Sequence, residues 1–121
     1  MQIFGDNGSR IPFLWESEEI TPAKISEIKG SSLIYAKAIW IRYKCELDFT
    51  LQIKYVKGDQ NETENVLQYP ISSGSTYFYQ ELPNGLLCKS IIFSYFGEVL
   101  GTFEVISKGI MADIISIGRR A

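Results

Sequence analysis

Between Ile39 and Tyr55 the chain alternates with a period of two for seventeen residues. Ile39, Ile41, Tyr43, Cys45, Leu47, Phe49, Leu51, Ile53 and Tyr55 are apolar or a thiol, whereas Arg42, Lys44, Glu46, Asp48, Thr50, Gln52 and Lys54 are polar. Trp40 is the large aromatic on the polar side. This pattern sets one group of side chains on each face of a strand and excludes an amphipathic helix, whose apolar positions recur every three to four residues. At about 3.3 Å per residue the run would span roughly 55 Å, far beyond an ordinary strand, so it must break. A two-residue hairpin would exchange the inward parity of its arms. The parity is kept, which predicts either a hairpin with an odd-numbered loop near Lys44–Glu46 or one strand bent by a bulge.

The rest of the chain extends this β pattern. Leu33–Tyr43, Asp48–Val56, Glu64–Tyr69, Thr76–Glu81, Leu86–Phe96, Val99–Ile106 and Ile110–Ile117 read as strands. Gly58–Glu62, Ser72–Ser75, Pro83-Asn84-Gly85, Gly97 or Gly101, and Lys108-Gly109 read as the breaks between them. At the start, Gly5-Asp6-Asn7-Gly8 supplies residues that tolerate positive φ, so Gln2–Phe4 and Arg10–Leu14 are expected to form a small hairpin. Residues 15–30 allow one short helix after Thr21-Pro22, or an irregular extended arm. The expectation is one all-β domain over 1–121, an antiparallel sandwich of about eight strands, jelly-roll or immunoglobulin-like, with 1–30 as a hairpin plus an irregular arm.

Composition narrows function by exclusion. The 121 residues contain no histidine, which removes the commonest general base, the usual partner of a serine or cysteine nucleophile and the commonest transition-metal ligand. A net charge of −2 with interleaved lysines and acids argues against nucleic acid as a partner. No apolar run approaches the ~20 residues of a membrane-spanning helix, and the opening residues lack the basic and apolar regions of a secretory signal. Cys45 and Cys88 are expected as two reduced thiols, with a bridge between sheets as the alternative. Glu46, Asp48, Glu81, Glu98, Glu104 and Asp113 offer no spacing that singles out a catalytic pair, and Asp59, Asn61 and Glu62 lack the full oxygen pattern of a calcium loop. No catalytic residue, metal or cofactor is expected.

The candidate binding residues are aromatic. Trp40 and Arg42 share the polar face of the central run, Trp15 stands beside Glu16, Glu18 and Glu19, and Tyr77 and Tyr79 share one face of a short strand. Trp, Tyr and Arg are over-represented where one protein anchors on another, and flat aromatics also stack on sugars. The competing readings are structural: Trp40 covered by the N-terminal segment, Trp15 plugging one end of the sandwich, and the two tyrosines filling its core.

The stretch Ile3-Phe4-Gly5-Asp6-Asn7-Gly8-Ser9-Arg10-Ile11-Pro12 resembles the short hairpin that opens many phage and virus virion accessory proteins, such as capsid decoration, head-fibre and tail-associated components. The resemblance implies a small β-sandwich without enzymatic activity, at the virion or in the host cytoplasm, bound to other protein subunits and forming homo-oligomers. Two alternatives stand beside it. One is a carbohydrate-binding module using Trp15, Trp40, Tyr77 or Tyr79; the other is a small inhibitor or immunity protein that masks a partner's surface.

Overall fold

The computed structural model describes residues 1–5, 9–22, 32–58 and 64–116. The turn at Asp6–Gly8, the short helix expected within 23–30, the calcium-loop candidates and the C-terminal tail lie outside them. The described chain is all-β and antiparallel. Its strands are β1 (Gln2–Phe4), β2 (Ile11–Glu16), β3 (Ser32–Cys45), β4 (Phe49–Lys57), β5 (Glu64–Ile71), β6 (Tyr77–Val99) and β7 (Thr102–Ser116). They form one open, sandwich-like sheet in the order β1-β7-β3-β6-β4-β5, with β2 on β6.

The sheet folds back on itself through β6. Tyr77–Cys88 of this strand pairs with β3, whereas Cys88–Gly97 pairs with β4 and Ser94–Val99 with β2. One layer therefore holds β1, β7, β3 and the first half of β6; the facing layer holds β2, the second half of β6, β4 and β5. The bend has two local causes. Four residues, Leu82–Gly85, stand opposite the single Lys37 of β3, since Ala36 pairs with Leu86 and Ala38 with Glu81. Further on, Lys89 is the extra residue between the Val56–Ser90 and Lys57–Cys88 pairs. Such bulges break the ladder, increase the twist and turn a strand. Gly85 makes the first one accessible: its φ of 68° favours glycine, and a Cβ there would meet the Tyr35 ring at 2.6 Å.

The two layers meet in a cluster of rings. Phe49 packs edge-on against Phe103 with centroids 4.7 Å apart and against Tyr43 at 5.3 Å, while Phe13 packs against Phe103 at 4.6 Å. Each such pair adds about 0.5–1.5 kcal/mol beyond the area it buries. Ile34, Ile39, Ile41, Leu51, Ile53, Ile91 and Phe93 are among the other buried core residues.

The long alternation in the sequence keeps its inward parity. Ile39, Ile41, Tyr43, Phe49, Leu51 and Ile53 are buried, Arg42 and Asp48 are exposed, and Cys45, Leu47 and Tyr55 are half-buried. Gln52 and Lys54 are partly covered instead of exposed: Gln68 donates to Gln52 at 2.7 Å and Lys54 to Glu16 at 2.6 Å across the sheet. The break at Glu46–Asp48 has the expected odd length, but it is a corner and not a hairpin. β3 and β4 have no mutual register; they pair along different stretches of β6 and lie in facing layers.

Two other expectations change. β1 and β2 do not pair with one another: β1 joins β7 and β2 joins β6, with the Gly5 N–H donating to the Gly101 carbonyl at 2.7 Å. Thr76–Glu81 and Leu86–Phe96 are one continuous strand, as are Val99–Ile106 and Ile110–Ile117 for most of their length. The letters read as turns between them are bulges or packing positions within long strands. Cys45 and Cys88 are both free thiols, Cys88 fully buried with its Sγ 3.7 Å from the Ile34 carbonyl oxygen.

Candidate functional site

Four of the five candidate residues come together on one outer face. Trp40 of β3 stands between Tyr79 of β6 and Gly109 of β7, and Arg42 stands between Tyr77 and Ser107. Even positions of β3 beyond its bulge face away from the core, because Ile39, Ile41 and Tyr43 take the inward side. Trp40 stays half-buried although it points outward. Its indole lies over Gly109, where a Cβ would overlap the ring, and it stacks on Tyr77 with centroids 6.4 Å apart and planes 25° from parallel. A glycine in this strand thus makes the seat for the tryptophan.

The tyrosines are not core residues. Tyr77 is 50 % and Tyr79 43 % exposed, and Met111 beside them is 51 % exposed. The Tyr79 hydroxyl donates to the Met111 sulfur at 3.6 Å, bridging β6 and β7 over β3, and Ala38 beneath this bridge is buried. Where the β6 bulge opens the surface, a cleft of about 450 Å³ is lined by Tyr35, Lys37, Tyr79, Glu81, Leu82 and Met111. Lys37 is the extra residue of β3 against β7 and stands opposite the four-residue bulge of β6, and it pairs with Asp113 at 2.8 Å, with both side chains more than half exposed. The hydrogen bond to Asp113, followed by its charge, raises the Lys37 pKa, so the cation persists across the neutral range. Asp113, the acid that interrupts the apolar terminal strand, is accordingly half of an outer-face ion pair.

Trp15 belongs elsewhere. It is half-buried on the inner side of β2, stacked on Tyr95 with centroids 5.3 Å apart and planes 9° from parallel, and the Lys108 Nζ sits 5.0 Å from its ring centroid. It stands in the seam between the layers, away from the Trp40 face.

Tyr35, Met111 and Gly109 were not singled out as site residues by sequence reasoning, because none carries a local signal for that role. Met111 and Tyr35 lie beside the aromatic positions only through the strand pairing. Gly109 carries a letter that usually marks a break. Among the described residues no group of three or more cysteines, aspartates or glutamates could hold a metal ion. Among the described residues no helix is long and apolar enough to cross a membrane.

The fold and the site define a small antiparallel β protein with an aromatic outer face. No family model, curated protein or solved structure matches the chain.

Proposed function

We propose that this chain is a non-enzymatic interaction module that docks onto another protein through the outer face of β6, β3 and β7, and that it serves as a virion accessory subunit. The observation that carries the reading is the contiguity of Trp40, Tyr77, Tyr79 and Met111 with Arg42 at the rim, spread over three paired strands. Aromatic residues, Met and Arg are the types enriched at protein interfaces, and a flat sheet face held by two ladders changes little on docking. Arg42 favours a partner whose apolar centre has an acidic rim. The setting at a virion rests on the resemblance of residues 3–12 alone.

Met111 among the rings favours a protein over a sugar, because a thioether adds apolar contact but no acceptor of useful strength. The experiment compares the native chain with a face variant carrying Trp40→Ala and Tyr79→Ser, and with a control variant Val66→Ser on the opposite layer. Each is incubated with virions or host extract, and the bound proteins are identified. One protein retained by the native chain and the control, but reduced at least tenfold by the face variant, supports docking. Identical bound sets for all three sink it, and glycan-array hits that vanish with Trp40→Ala transfer the face to the carbohydrate reading.

A further inference from the structure

Strand parity turns one cation toward the interior. Phe103 and Val105 of β7 are buried, and Ile106 is the extra residue between the Arg42–Ser107 and Tyr43–Val105 pairs. Beyond this bulge the inward side passes to the even positions, and Ile110, Ala112 and Ile114 pack on the core. Lys108 shares that side. Its Nζ lies 5.0 Å from the Trp15 ring centroid and 5.4 Å from that of Phe93, in the seam between β2 and β7.

The seam leaves polar groups unfilled. Rings attract an ammonium, but they do not replace acceptors for its three N–H groups. Among the described residues no carboxylate lies within ion-pair distance of Lys108; burial lowers its pKa, and the charge of Glu18 acts the other way. A cavity of about 310 Å³ runs along Lys108, Trp15, Tyr95 and Val105, and a second of about 220 Å³ along Lys108, Ile20, Phe93 and Ile110. Tyr95 at the back of the first is fully buried, and its hydroxyl, closed off from the cavity, has no hydrogen-bond partner among the described residues. Such orphan groups oppose folding and call for an explanation.

The geometry points to the β2–β7 seam as a binding site for a small monocarboxylate with an apolar body, its carboxylate on Lys108 and its body in the second cavity along Ile20, Ile110 and Ala112. An inorganic anion would meet the charge but leave the apolar walls unmatched. A neutral hydrocarbon would do the reverse. This site is separate from the outer face, so its fate is independent of the docking reading.

The test uses the full chain, isothermal titration calorimetry at pH 7, and octanoate against its uncharged counterpart octanamide. Octanoate should bind at one site per chain, with octanamide and the Lys108→Met variant at least tenfold weaker. Folding of each variant is checked by circular dichroism, and Lys108→Gln replaces Lys108→Met if the latter unfolds. Absence of saturable octanoate binding up to millimolar concentration overturns the proposal, as does equal binding of octanamide or of a folded Lys108 variant.

Discussion

Trp40 shows how much of a site one letter carries and where it stops. Its place on the polar face follows from alternation alone, since Ile39 and Ile41 on either side claim the interior. Its half-buried state does not, because that depends on Gly109 from a strand some seventy positions away, brought opposite by register. Gly109→Ala should lift the indole from its seat, lowering stability by about 1–3 kcal/mol, the usual cost of overpacking a filled site. In a Trp15→Phe background the remaining emission should shift to the red. Adding Trp40→Ala should relieve most of the loss, because contacting residues do not act additively; equal losses in the single and double variants would show that the contact is unimportant.

Among the elements, β6 and β7 depart furthest from what the letters suggest. Pro83-Asn84-Gly85 and Lys108-Gly109 resemble loop punctuation, yet both sit inside strands because the partner ladder continues on either side. The bulges did leave a trace in the sequence. The buried positions of β3 change from even, Ile34 and Ala36, to odd, Ile39 and Ile41, and the inward positions of β7 change from the buried Phe103 and Val105 to the partly buried Ile110, Ala112 and Ile114. A parity change in mid-strand marks an extra residue, but it does not say which partner is opposite, so Lys108 was not legible as an inward residue. The N-terminal arms failed for a related reason: turn chemistry permits a hairpin without requiring one, and the edges of β6 and β7 offer longer partners. At the β6 bulge, Gly85→Ala should cost about 1–3 kcal/mol through the left-handed backbone and the overlap with Tyr35. Tyr35→Ala in the same chain should recover only the steric part. A chemical-denaturation midpoint unchanged by Gly85→Ala would mean that the bulge relaxes freely.

For the whole molecule, burial has an acid–base consequence. Cys45 and Cys88 are pushed up to about 11 from an ordinary 9.0, chiefly by desolvation, and burial also raises Tyr43, Tyr69 and Tyr95. The folded state then holds protons that the unfolded chain gives up, so these groups favour folding below about pH 9 and lose that contribution as pH rises through the folded values. Urea midpoints should be level from pH 7 to 9 and fall between pH 9 and 11, less steeply for Cys88→Ala. A midpoint constant to pH 11 would contradict the burial of both thiols. The all-β class and the shared inner face were legible because alternation is local; the doubling back of the sheet was not, because it depends on which distant edge each strand finds.

That doubling back also sets an order of events on the ribosome. Both neighbours of β3, namely β6 and β7, lie C-terminal to it, as do the partners of β1 and β2; only β4 and β5 form a ladder with no later strand. While residues 32–45 emerge, Ile34, Ile39, Ile41 and Tyr43 have neither partner ladder nor facing layer. The nascent chain therefore carries two bare edges of β3 until β6 is made and one until the end of β7, a state prone to pairing with other chains. Slow translation beyond residue 60 should favour aggregates over folded protein, and a holdase present during synthesis should raise the yield of a protein that, once complete, has no need of it.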